Sequence, residues 1–299
     1  MGCSFELGVV SEDNATAQHF LEQGIFEIQR IENLLSEFLP TSQISLINRN
    51  AGKLVTVDGE VLSLLERCSK ISHISKGYFD ITVGPLKRLY RFKNEEFTPP
   101  GKQQLMTALK KVGYAKIKLD GNLSAAALSQ EGMYISLAAI GKGYAADMVK
   151  KMWKGNGVEG GYIDASGDLT AFGSDENGRP WKIGIANPDV RGATLFQIPL
   201  HNVSVATSGD YEQHFTHNGK RYSHNIDPKS GLPVQGIKSV SIFSPSAELS
   251  DALATAVYAM GVEKGLSFID QFPQTHCIII NDHNKIFFSK QIHYEAVLA

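Results

Sequence analysis

Ser223-His224-Asn225-Ile226-Asp227-Pro228-Lys229-Ser230-Gly231-Leu232-Pro233 is the stretch to read first. Each proline fixes its own φ and biases the residue before it away from helix. Gly231 suits a turn that needs a positive φ. The run from Lys220 to Ile226 therefore reads as a strand entering a rigid turn, with His224 near the strand end. Such a place holds an imidazole well for proton transfer, and it equally suits a solvated histidine on a polar loop.

Outward from this turn the chain keeps the same texture back to Gly113 and forward to its end. Short apolar runs joined by glycine turns predict strands near 117–119, 133–137, 161–164, 182–185, 196–200, 221–226, 239–243, 277–280 and 285–288. Helices are expected at 141–153 and 250–260. Before Gly113, Phe5, Leu7 and Val9 alternate with smaller or polar residues as in a half-buried strand. Leu21, Ile25, Ile28, Ile31, Leu35 and Phe38 recur at three- and four-residue steps, as on an amphipathic helix that stops before Pro40. Two shorter helices follow, around Leu64 and Leu105, closed by Gly77 and Gly113. Strands outnumber helices and do not alternate regularly with them. This argues for an α+β fold, one compact domain of mixed and antiparallel sheets with flanking helices, rather than a doubly wound sheet.

Composition narrows the function. A net charge of −2 supplies no basic field, so nucleic acid is not an expected partner. Cys3, Cys68 and Cys277 are far apart and form neither a metal-ligand spacing nor a disulfide framework. No apolar run reaches membrane-spanning length. Met1-Gly2-Cys3-Ser4-Phe5-Glu6 enters a strand at once. A cytoplasmic location is therefore expected of the chain as given, unless an export segment precedes it.

Two segments offer further chemistry. In Ser250-Asp251-Ala252-Leu253-Ala254-Thr255, Ser250 is expected to cap a helix with Asp251 in its first turn. Thr255 then lies one turn on, on the same face. A carboxylate and a hydroxyl so placed suit a hard cation such as Mg²⁺, although an acid at a helix start also favours the dipole by itself. In Ile140-Gly141-Lys142-Gly143-Tyr144 a strand passes into a helix with an ammonium at its start. That arrangement favours a phosphate, or the glycines serve close packing.

Taken with their neighbours, these segments resemble the ApbE family, the FAD:protein FMN transferases. The matching pieces run in order along nearly the whole chain. They include Ser36-Glu37-Phe38, Ser42-Gln43-Ile44-Ser45, Gly77-Tyr78-Phe79-Asp80, Val83-Gly84-Pro85-Leu86, Ile140-Gly141-Lys142-Gly143-Tyr144-Ala145-Ala146-Asp147, Ser166-Gly167-Asp168, Ala206-Thr207-Ser208-Gly209-Asp210-Tyr211, His224-Asn225-Ile226-Asp227-Pro228 and Asp251-Ala252-Leu253-Ala254-Thr255.

The resemblance implies one flavin transferase domain over 1–299 and a Mg²⁺-dependent enzyme. Its substrate would be FAD, and the FMN half would go to a Ser or Thr of an acceptor flavoprotein through a phosphodiester, releasing AMP. It implies a metal on Asp251, Thr255 and the Ala139 carbonyl, and FAD against Met1, Phe38, Phe79, Asp80, Ile81, Ser136, Lys142 and Ile226. His224 would be the base. Alternatives are hydrolysis of FAD to FMN and AMP, and a flavin-binding protein without catalysis. Assembly is left open, a homodimer included. Ser136 stands where the family commonly has Asp, Phe38 where Tyr is frequent and Cys3 where Thr is usual. Family members are often exported or membrane-anchored.

Overall fold

The computed structural model describes residues 2–90, 99–190, 192–200, 202–209, 214–217, 220–290, 292 and 295–296. Its centre is a seven-stranded sheet of Glu6–Val10, Gly160–Ala165, Asp168–Phe172, Ser204–Gly209, Ile237–Ser244, His276–Asn281 and Ile286–Phe288. That spatial order is also the chain order, and every neighbouring pair is antiparallel. The fold is α+β, as the irregular alternation of elements predicts.

The other elements are inserted between successive strands of this meander, apart from Glu295–Ala296, which follows the last strand and pairs with Thr194–Leu200. The first gap carries helices α1 (Asn14–Leu35), α2 (Gln43–Arg49), α3 (Gly59–Ile74), α4 (Gly84–Lys87), α5 (Lys102–Leu109) and α6 (Gly141–Gly155). The same gap holds a small sheet of Leu54–Thr56, Ala125–Leu128 and Ile117–Asp120. Hairpins Trp181–Ala186/Thr194–Leu200 and His214–His217/Lys220–Ser223 fill two later gaps, and α7 (Ala247–Met260) and α8 (Val262–Ile269) fill another.

The principal core lies between the sheet and the helices. Ile31 of α1, Leu64 and Leu65 of α3, Leu253 and Val257 of α7, and Val240 and Ile279 of the sheet are fully enclosed there. Cys68 is fully buried in the same core, as its place on the apolar face of a helix predicts. α6 meets α7 without room for a side chain at the crossing, since a Cβ on Gly143 would lie 2.2 Å from the Ala247 carbonyl oxygen. The glycine of this motif thus serves helix–helix approach. Asp147, one turn later, reinforces the contact by accepting from Ser246 Oγ at 2.7 Å, Ala247 N at 3.0 Å and Glu248 N at 2.9 Å. It supplies acceptors for the open amides at the start of α7.

The lead into α6 at 138–140 is a turn and not the expected strand, and three further expectations need correction. Ser250 is not the cap of its helix: α7 begins at Ala247 and Ser246 Oγ accepts from Leu249 N, which puts Asp251 in the second turn. Ser250 is instead buried, its hydroxyl 2.9 Å from that of Ser244. The run 133–137 is not a strand, because the side chain of Asn48 takes both backbone groups of Ile135, at 2.7 and 2.9 Å. α1 ends at Leu35, so Phe38 stands in the loop beyond it.

Candidate active site

The helix–sheet insertions converge on a cleft of about 590 Å³. Of the residues expected to form a site, Phe38, Phe79, Asp80, Ile81, Ser136, Ala139, Lys142, His224, Ile226, Asp251 and Thr255 all line it. Met1 lies outside the described residues, as do Asp210 and Tyr211, while Gly2 lines the cleft. A smaller recess of about 240 Å³ shares Glu37, Phe38, Ala138 and Lys142 with the main cleft and reaches Cys3 and Ser166.

α7 and α6 bring the polar end together. Asp251 is buried, and the only hydrogen bond its carboxylate makes among the described residues is a 3.3 Å one from Gly143 N in the first turn of α6. Burial pushes its carboxyl above the usual range, opposed mainly by the field of Lys142. Thr255, four residues on, has its Oγ1 3.3 Å from Ser208 Oγ on the neighbouring strand. Lys142 is joined to Asp168 in an ion pair, and Asp168 also accepts from Thr207 N at 3.2 Å. Burial raises Asp168, with the charge of Asp251 adding to the shift and Lys142 opposing it. Burial works against the Lys142 ammonium, yet the fields of Asp251 and Asp168 hold it above the ordinary lysine range.

The opposite wall is built from loops. Ser136 N donates to the Ile81 carbonyl at 2.8 Å, and Ser136 Oγ donates to Glu37 Oε1 at 2.8 Å. Asp80 is committed to its own loop. It accepts from Thr82 N at 2.8 Å, Thr82 Oγ1 at 2.6 Å and Tyr114 N at 2.8 Å. Those bonds counter the burial that raises its pKa, and they leave Asp80 shaping the wall. Phe79 is 1 % exposed and belongs to the core, whereas Phe38 is 80 % exposed where it lines the cleft. Tyr78 lines the cleft beside them, with Lys229 Nζ 3.7 Å from its ring centroid.

The turn after His224 is held as its prolines predict. The strand itself ends at Ser223, and Ile226 then bridges to Pro233. Asp227 organises the turn, accepting from Lys229 N at 3.0 Å and Ser230 Oγ at 2.8 Å, while its carbonyl accepts from Gly231 N at 2.8 Å. Gly231 has φ +73°, and Tyr90 donates to its carbonyl at 2.7 Å. Ile226 is buried, so His224, which lines the cleft, stands on an anchored support.

Among the described residues no group of three or more His, Cys, Asp or Glu is placed to hold a metal. The donors gathered at the polar end are of another kind, one carboxylate with a hydroxyl beside it. Residues that sequence reasoning left out of the site are Glu37, Lys87, Asp168 and Ser208, all of which touch or line this region. Glu37, Asp168 and Ser208 sit within motifs already quoted. Lys87 directly follows one, and nothing in its local pattern separates it from a surface lysine.

Comparison with known proteins bears on this geometry. A model of the ApbE family matches residues 1–279. A protein named FAD:protein FMN transferase from Klebsiella pneumoniae is 30% identical over 292 residues, covering 97% of this chain and 89% of its own. One of the same name from Haemophilus influenzae is 28% identical over 295 residues, covering 95% of this chain and 85% of its own. The crystal structure of the ApbE protein from Thermotoga maritima superposes with a TM-score of 0.88 at 31% identity, over 97% of this chain and 94% of that one.

Proposed function

The chain belongs to the ApbE family, and on that premise we propose that it is a flavin transferase. It takes FAD and places the FMN half, through a phosphodiester, on a Ser or Thr hydroxyl of an acceptor flavoprotein, releasing AMP. We take 1–299 as one flavin transferase domain. The observation that carries this reading is that Asp251, Thr255, Lys142 and His224, from three separate parts of the chain, face one cleft with an exposed aromatic ring at its mouth.

The polar end fits a hard divalent cation. A buried carboxylate with one long hydrogen bond is under-satisfied, and a cation would offset the desolvation that raises it. Asp251, Thr255 and the carbonyl of Ala139 are oxygen donors, the class that Mg²⁺ prefers over zinc or copper. When bound there, Mg²⁺ would neutralise charge on the diphosphate oxygens.

The rest is assigned to the protein's own groups. Phe38 stacks against the flat isoalloxazine, and the backbone at Ile81 and Ile226 borders it. His224 accepts the proton of the acceptor hydroxyl, a task suited to an imidazole, whose ordinary titration range is near neutrality. The acceptor oxygen then bonds to the FMN phosphorus, the bond from that phosphorus to the bridging oxygen breaks, and AMP leaves with that oxygen. Lys142, held in place by Asp168, supports the charge that develops on the phosphates.

The test is incubation with FAD, Mg²⁺ and a candidate acceptor, followed by a denaturing gel read for flavin fluorescence and by mass spectrometry. Covalent FMN on the acceptor and stoichiometric AMP are expected. Free FMN with AMP and no labelled protein would replace the reading with hydrolysis, and unchanged FAD would leave a binding protein.

A further inference from the structure

Lys142 is the ammonium that the sequence offers to the phosphates, but in the structure it is ion-paired to Asp168. The cleft contains a second ammonium. Lys87 ends the short helix α4 and lines the same cleft, half-buried. Among the described residues its side chain makes no hydrogen bond and no ion pair, and burial pushes its pKa down against the fields of Glu37 and Asp251. The neighbouring Leu86 and Tyr90 supply the apolar contacts that seat α4.

A desolvated cation held without a partner is unfavourable unless something anionic meets it. Of Lys87 and Lys142, the lysines that line the cleft among the described residues, Lys87 is the one whose donors are uncommitted. We propose that Lys87 binds the diphosphate of the dinucleotide substrate, so that it selects flavins carrying phosphate. This rests on the flavin-transfer reading above.

Binding of FAD and of riboflavin, which has the isoalloxazine and no phosphate, is followed by quenching of flavin fluorescence in Mg²⁺ for the wild type, Lys87→Met and Lys87→Arg. The methionine fills similar space without charge. Lys87→Met should bind FAD about 10- to 100-fold more weakly, the range for a lost charge-assisted hydrogen bond. Its affinity for riboflavin should stay within about 2-fold, while Lys87→Arg keeps most of the FAD affinity. The FAD affinity of the wild type should also fall more steeply with salt than that of Lys87→Met. Wild-type FAD affinity in Lys87→Met, or an equal loss for FAD and riboflavin, overturns the proposal. A melting temperature several degrees lower together with equal losses marks Lys87 as structural and likewise overturns it. The wild-type arm judges the flavin reading separately, since a native protein that binds no FAD overturns that reading, and this proposal with it, whatever the substitutions do.

Discussion

Ser136 Oγ donates a 2.8 Å hydrogen bond to Glu37 Oε1, across 99 residues of sequence. The structure brings this carboxylate to the hydroxyl from the loop after α1.

Ser136→Asp would set a second carboxylate against Glu37 at a buried position, where two charges cannot both be held cheaply. At neutral pH this variant should melt lower, by about 1–3 kcal/mol of stability. The deficit should shrink as pH falls through the carboxylate range, since one acid protonates and can then donate to the other. Its Mg²⁺ requirement should not improve on the wild type's. Ser136→Ala should lose only about 0.5–1.5 kcal/mol at any pH. Melting curves from pH 4 to 8 decide this, and a Ser136→Asp protein as stable as the wild type at pH 7 would refute the pairing.

Asp251→Asn keeps size and removes a buried charge, so the fold should survive with a melting temperature no lower than the wild type's. Flavin transfer should nevertheless fall by more than about 100-fold, since Asp251 is assigned as a ligand itself and loss of even a group behind a ligand costs roughly 10- to 100-fold. Thr255→Val should act in the same direction more mildly, because it removes a neutral oxygen. Turnover titrated with Mg²⁺ is the measurement, and a fully active Asp251→Asn enzyme with unchanged metal dependence would remove the metal assignment.

Loss of the general base should separate chemistry from binding. His224→Ala should slow transfer by roughly 100- to 10,000-fold while FAD affinity changes little. Single-turnover rates beside flavin-binding titrations test it; a wild-type rate would end the assignment of His224 as base.

Glu60 joins three helices through its carboxylate. It accepts from Arg30 of α1 at 2.7 and 2.9 Å and from the Tyr144 hydroxyl of α6 at 2.5 Å. The Arg30 hydrogen bonds, more than Tyr144, lower its pKa in the folded state. A lowered acid stabilises the fold above its unfolded pKa of about 4.3, and that contribution is lost as pH falls through the folded value. Wild type should therefore exceed Glu60→Gln by about 0.5–1 kcal/mol at pH 7, discounted for solvent exposure. The gap should shrink as pH falls below the unfolded pKa of about 4.3. A gap that is undiminished at the lowest pH at which both proteins fold would contradict the linkage.

Much of this protein is legible in its sequence because local geometry decides it. Asp251 and Thr255 share a helix face because residues four apart always do, wherever the helix starts. The turn after His224 follows from two prolines and a glycine, whose backbone limits are their own. The α+β class follows from the density of short strands. What lies beyond the reach of the sequence depends on partners distant along the chain. Ser246 and Ser250 are equally good caps by composition, and the choice falls to Ser246 because Asp147 from α6 meets the amides beside it. Asn48 removes 133–137 from any sheet by taking the backbone of Ile135. Ala125–Leu128 is a strand despite three alanines, which favour strands poorly, because it is buried between two partners. The two cleft lysines differ in the same way: tertiary folding brings Asp168 to Lys142 and leaves Lys87 unpaired among the described residues. Backbone preference and helical spacing act over a few residues, so they can be read along the chain. The partner of a buried charge or amide is chosen by desolvation across the whole fold, where only the three-dimensional arrangement decides.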